Sequence, residues 1–202
     1  MNRNLFVYLH GMGFDKTENA EFTSKLASEL NAAVLAFNAP FASGRSRGGY
    51  SWFYSNPETH EPIVDKHFYN SLDFVKSYIE NTLKEKELAW DNVILSGRSQ
   101  GPFFAQYMAL SGMVKPSGII ALCTYDTNGF IANSMINTQI PIVWCHAKNE
   151  TTVPLKHTNE YIKLQELGAN LTRVILQDSN HDNLSLESAP LVALAARKMN
   201  II

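Results

Sequence analysis

The stretch Val93-Ile94-Leu95-Ser96-Gly97-Arg98-Ser99-Gln100-Gly101-Pro102-Phe103-Phe104-Ala105-Gln106-Tyr107-Met108-Ala109-Leu110 decides how this chain folds. Val93 to Leu95 is a short, wholly apolar strand. Residues 102–110 are apolar on nearly every side, which predicts a buried helix. Between them stands Gly97-x-Ser99-x-Gly101. A serine raised on a sharp strand-to-helix turn has strained backbone angles, and neighbours with side chains would collide there. Such a turn lifts the Ser99 hydroxyl above the sheet. It also sets the Gln100 N–H at a helix N-terminus, where a developing negative oxygen is stabilised. The competing reading is a serine that merely caps the helix. Pro102 suits both readings, because a first-turn proline loses no helical hydrogen bond. The strand before and the buried helix after favour a nucleophile.

Outward from this turn, strand-like and helix-like segments alternate over residues 1–202 with no repeat, low-complexity tract or linker. That pattern predicts one α/β domain, a mostly parallel central sheet with helices on both faces. Leu5–Leu9, Ala33–Phe37, Ile119–Cys123, Ile142–Cys145 and Leu171–Leu176 read as the other strands. Asp15-Lys16-Thr17-Glu18 reads as an acid-capped helix start, continued by Phe22, Leu26 and Leu30. Phe68, Leu72, Val75, Ile79 and Leu83 form the stripe of a long helix. Leu155–Leu167, ended by Gly168, and Leu186–Met199 read as the last two helices. The long segment from Asn38 to about Pro62 reads as a functional loop whose aromatic residues line a pocket.

Composition excludes several classes. The chain has 45% hydrophobic and 18% charged residues and a formal net charge of -2, so nothing points to a nucleic-acid partner. No apolar run spans a bilayer, so no stable membrane insertion is expected. The N-terminus enters an apolar strand at once and does not read as a signal peptide, so a cytoplasmic location is expected. Cys123 and Cys145, the two cysteines, lie in apolar runs and read as buried thiols.

A serine hydroxyl needs a base, and the base needs a third group to orient it. When such a turn carries the nucleophile, the chain order is nucleophile, acid, histidine. His181 follows the last strand and is the candidate base. His10, His60 and His67 precede the turn; His146 ends a strand and His157 sits early in a helix. The acid should follow the strand Ile142–Cys145, where Glu150 is the one acid before Pro154. A carboxylate there would hold the imidazole tautomer and stabilise the imidazolium. Asp126, Asp178 and Asp182 are the reserves.

His10-Gly11-Met12-Gly13 follows the first strand, and its glycines allow close backbone approach. The Met12 N–H is the candidate second oxyanion donor, opposite Gln100. A phosphate loop is excluded, because Asp15 stands directly before Lys16 where a glycine is required. Lys16 also takes the place of the third glycine of a dinucleotide fingerprint. No His, Asp and Cys set shows metal-ligand spacing, so neither metal nor cofactor is expected.

With these pieces in place, the chain resembles the phospholipase/carboxylesterase family of α/β-hydrolases, which includes the acyl-protein thioesterases. The resemblance runs nearly the whole length. It rests on Leu9-His10-Gly11-Met12-Gly13, Asn38-Ala39-Pro40, Ser51-Trp52-Phe53, Gly97-Arg98-Ser99-Gln100-Gly101, Val153-Pro154 and His181. It implies catalytic roles for the Ser99 and His181 positions and an oxyanion hole from Met12 and Gln100. Three departures stand out: Glu150 where the family has Asp, Arg98 where it has an aromatic, and Pro102 where it has a second glycine. Arg98 is expected to pair with a nearby acid such as Asp126.

The implied activity is hydrolysis of small carboxylic esters or thioesters of small to medium acyl length. Trp52, Phe53 and Phe14 are expected to line an apolar acyl pocket. Arg45 and Arg47 are candidates for an anionic head group, or simply solvated. The alternative is a hydrolase fold kept as a binding or regulatory module, motivated by Glu150, Arg98 and Pro102. A dienelactone-type hydrolase would need a cysteine at position 99. The oligomeric state, a homodimer included, stays open.

Overall fold

The computed structural model describes residues 3–44, 46, 48–58, 61–125, 129–153 and 159–202. Eight strands and six helices alternate along it. The strands are β1 (Asn4–Leu9), β2 (Ala32–Ala36), β3 (Phe41–Ala42), β4 (Tyr50–Ser51), β5 (Val93–Arg98), β6 (Gly118–Leu122), β7 (Ile142–Ala147) and β8 (Leu171–Leu176). The helices are α1 (Ala20–Glu29), α2 (Lys66–Lys86), α3 (Gln100–Leu110), α4 (Phe130–Ser134), α5 (Asn159–Glu166) and α6 (Ala189–Lys198). Six strands form one parallel sheet in the order β2-β1-β5-β6-β7-β8. This is the α/β-hydrolase architecture expected from the sequence.

Alternation along β1 shows how the sheet is covered. Leu5, Val7 and Leu9 face a core completed by α2 and α3, while Phe6 and Tyr8 face a second core under α1 and α6. A parallel strand buried on both faces has no polar side, which is why β1 and β5 read as continuous apolar runs. Helix α2 starts at Asp65, whose carboxylate accepts from the His67 and Phe68 N–H groups. It buries Phe68, Leu72, Val75, Ile79 and Leu83, the stripe read from the sequence.

The strand order reverses between β1 and β5, because β2 lies to one side of β1 and all later sheet strands lie to the other. Loops leaving the carboxyl ends of β1 and β5 therefore diverge and open a crevice at the sheet edge. Leu9 pairs with Gly97 at that end, so His10-Gly11-Met12 and Arg98-Ser99-Gln100 emerge side by side.

The structure corrects several boundaries. Asp15 to Glu18 form turns before α1 and not its first turn, and the Asp15 carboxylate accepts from the Thr17 N–H. Glu18 is no cap: its side chain turns inward. The long loop from Asn38 carries the short antiparallel pair β3–β4, and α4 is a further helix absent from the sequence reading. The stretch Leu186–Ser188 is a 3-10 turn ahead of α6. Arg45, Arg47, His60, Asp126, Pro154 and His157 lie outside the described residues. No helix among the described residues is long and apolar enough to cross a membrane.

Candidate active site

Ser99 sits between β5 and α3 with φ 58° and ψ -106°, a strained left-handed conformation for a residue with a side chain. Close packing enforces it. A Cβ at Gly97 or at Gly101 would collide with the Leu9 carbonyl oxygen of the neighbouring strand. The Ser99 N–H donates to the Leu122 carbonyl at 3.0 Å, and the Thr124 hydroxyl donates to the Ser99 carbonyl at 3.2 Å. Glycine adopts this conformation without steric penalty. Ser99→Gly is therefore expected to melt roughly 2–4 °C above Ser99→Ala, equivalent to about 1 kcal/mol of released strain. Equal melting temperatures in a thermal scan would contradict a strained turn.

Gln100 opens α3, and its N–H, first of the helix, has no carbonyl within the helix to bond. Its side chain has a second task. The carboxamide oxygen accepts from Trp52 N–H at 3.0 Å and the Ser51 hydroxyl at 3.1 Å, and the amide donates to the Phe53 carbonyl at 2.8 Å. The helix start is thereby bolted to the segment after β4.

Across the crevice, the residues flanking Met12 are pinned on both sides. Gly11 N–H donates to Glu18 at 2.7 Å, and Gly13 N–H donates to the Tyr50 carbonyl at 2.9 Å. His10 anchors the same loop from below. Its Nε2 accepts from the Ala39 N–H at 3.0 Å and its Nδ1 lies 2.8 Å from the Gly11 carbonyl. The indole of Trp52 donates to the His10 carbonyl at 2.8 Å. Burial holds the His10 imidazole below its ordinary pKa, so it is a neutral structural group and not a base.

His181 lies in the loop after β8. Asn180 shapes that loop by accepting from the Asp182 and Asn183 N–H groups at 3.0 and 2.9 Å. His181 Nδ1 is 2.7 Å from Glu150 Oε2, and the Glu150 side chain has no accessible surface. The other Glu150 oxygen accepts from Thr152 N–H at 2.7 Å and Val153 N–H at 2.9 Å. Burial alone would raise the Glu150 pKa. The hydrogen bonds from His181, Val153 and Thr152 outweigh it and hold the carboxyl below its ordinary value. An ionised Glu150 draws the proton to Nδ1 and leaves Nε2 as the acceptor.

The hydrogen bonds of Ser99 run through its backbone, and none joins its Oγ to His181 among the described residues. Catalytic hydrogen bonds of unliganded enzymes are commonly long and tighten when substrate binds. The two loops are nonetheless tied together: Arg98, the residue before Ser99, donates from Nη1 to the His181 carbonyl at 2.8 Å.

This arrangement accompanies a match between residues 1–188 and the sequence profile of the family described as Phospholipase/Carboxylesterase. The chain belongs to the phospholipase/carboxylesterase family. Acyl-protein thioesterase 1 of Debaryomyces hansenii is 25% identical over 209 residues, spanning 96% of this chain and 85% of that protein. Among solved structures, esterase PE8 superposes with a TM-score of 0.80 at 22% identity, over 98% of this chain and 93% of that one. SOBER1 of Arabidopsis thaliana gives 0.76 at 21% identity, over 98% and 99%.

As a phospholipase/carboxylesterase family member, the chain departs from its sequence reading at the aromatic residues. Trp52 and Phe53 were expected to line the acyl pocket, but both are 0% exposed. With its two backbone groups held by Gln100, this segment turns the rings into the core. Phe53 packs on Phe103 at 5.3 Å and Phe68 at 5.6 Å, and Trp52 on His10 at 4.9 Å. Both belong to the core on the α3 side of the sheet and are shielded from solvent. Phe14 is half-buried, with the Arg98 guanidinium 4.5 Å from its ring centre.

Arg98 is paired with acids, as expected, and its described partners are Glu18 and Asp182. It pairs with Glu18 through Nη2 and Nε and reaches Asp182 at 3.2 Å, while Asp126 is outside the described residues. Reading Glu18 as part of an acid-capped helix start hid this contact. The available signal was an arginine ending an apolar strand, since a buried cation requires an anion. The structural roles of His10 and of the Gln100 carboxamide had no sequence signal, because the Ala39 N–H and the Ser51–Phe53 segment that they hold lie 29 to 49 residues away in the chain.

Proposed function

We propose that this protein is a serine hydrolase of carboxylic esters or thioesters with small to medium acyl chains. The observation that carries the proposal is the strained Ser99 turn at the sheet crevice, accompanied by the 2.7 Å contact between His181 and the shielded Glu150. His181 Nε2 takes the Ser99 proton as Oγ attacks the carbonyl carbon. The tetrahedral oxyanion forms between the Gln100 and Met12 N–H groups, the first of them at the positive end of the α3 dipole. The imidazolium then protonates the leaving alcohol or thiol, which departs and leaves an acyl-enzyme on Ser99. Water, deprotonated by the same imidazole, attacks that acyl group and frees the acid. Membership of the phospholipase/carboxylesterase family supports this reading, as does the name of its D. hansenii relative.

A fluorophosphonate probe reports an activated serine directly. Stoichiometric labelling is expected, with the adduct mapped by mass spectrometry to Ser99. Turnover of p-nitrophenyl acetate and butyrate should disappear in parallel. Continued turnover by protein that carries no label would remove Ser99 from the reaction.

A further inference from the structure

The residue before the nucleophile carries a buried charge that the proposed chemistry leaves unused. Arg98 is 1% exposed and Glu18 is 8% exposed. Their ion pair lies on the sheet face opposite the α3 core, beside Tyr8, whose hydroxyl donates to Glu18 at 3.2 Å. Two buried charges are expensive to desolvate, and an apolar pair of similar volume often serves stability equally well. What the pair holds is therefore informative.

Each partner holds a different side of the crevice. Glu18 accepts from the Gly11 N–H, one residue before Met12. Arg98 donates to the His181 carbonyl and reaches the Asp182 carboxylate. Those loops leave β1 and β8, which sit four strands apart in the sheet. The sheet spaces those strands, but the loops beyond their ends lie outside its hydrogen-bond ladder. A guanidinium can tie them together, because its rigid fork bonds several acceptors in fixed directions.

Resting on the serine-hydrolase reading, we propose that Arg98 is a positioning residue. It holds the His181 loop and, through Glu18, the Met12 loop in one frame around Ser99. A displacement of about 1 Å at a catalytic group lowers turnover by roughly 10²-fold, so removing the strut should act on kcat.

The test is a charge-balanced pair of changes, Arg98→Met with Glu18→Gln. The glutamine keeps an acceptor for Gly11 N–H and Tyr8, and no lone charge is left buried. The double variant is expected to lose about 10²-fold in kcat for p-nitrophenyl butyrate, with KM within about threefold of wild type. Its fluorophosphonate labelling rate should fall by a similar factor. The downfield proton resonance of the His181–Glu150 hydrogen bond should broaden or vanish. Arg98→Lys keeps the charge opposite Glu18 but lacks the fork, so it should fall between the two, about tenfold below wild-type kcat. A folded double variant that retains wild-type kcat and the resonance would overturn the proposal. If the double variant does not fold, Arg98→Lys decides alone: a tenfold loss at unchanged melting temperature supports the strut, and unchanged kcat overturns it. Wild-type protein that takes no label would sink the hydrolase reading instead. The resonance would still judge the strut, supporting it if lost in the variants and overturning it if kept.

Discussion

Ser99→Ala is expected to lower kcat for p-nitrophenyl butyrate by about 10⁶-fold and to abolish fluorophosphonate labelling, with KM and fold unchanged. The size of the effect follows from what remains. His181 and Glu150 keep their contact, and the Met12 and Gln100 amides still meet the carbonyl, but no group is left to form the acyl-enzyme. The residue of catalysis over water, roughly 10³–10⁴-fold, comes from binding and the oxyanion donors alone. Alanine keeps a Cβ in the left-handed conformation and removes one oxygen that makes no hydrogen bond in the turn, so the turn itself is retained. A kcat within tenfold of wild type, measured on protein freed of contaminating esterase by a second purification tag, would place the nucleophile elsewhere.

Glu150→Gln should follow at about 10⁴-fold in kcat. The substitution is nearly isosteric. Its carboxamide oxygen can still accept from Thr152 and Val153, so the turn after β7 survives. Its amide hydrogens, however, face His181 Nδ1 where an acceptor stood at 2.7 Å. The imidazole then keeps its proton on Nε2 and cannot take one from Ser99. Stability adds a second readout. The folded protein holds the Glu150 carboxyl below its ordinary value of 4.5, so this group's contribution to stability is full above that value and is lost as pH falls through and below it. The glutamine variant lacks that portion of the acid dependence, and its unfolding free energy should change less steeply with pH below 4.5. Wild-type kcat in this variant would assign the orienting acid to another residue.

The catalytic candidates were readable in order along the chain because each follows its own strand: Met12 after β1, Ser99 after β5, Glu150 after β7 and His181 after β8. Parallel strands all end on the same side of the sheet, so residues at their carboxyl ends gather without any knowledge of side-chain packing. The aromatic residues of the long loop offered no such rule. Trp52 and Phe53 suit a pocket and a core equally by composition, and the choice between them was made by a carboxamide 47 to 48 residues away. Glu18 failed for the same reason, since an acid near a helix start satisfies the local rule for a cap whether it points outward or inward.

The amino-acid sequence by itself determined the βα alternation, the two cores on either side of the sheet, the sharp serine turn and the chain order of the candidate serine, acid and histidine. These rest on local patterns: short apolar runs, helical apolar stripes and glycine spacing. Tertiary structure alone decided that Trp52 and Phe53 are core, that His10 is a neutral strut, and that Arg98 pairs with Glu18 across 80 residues of chain. A buried polar group must find a partner, but the partner is chosen by proximity in space, which no spacing in the chain encodes.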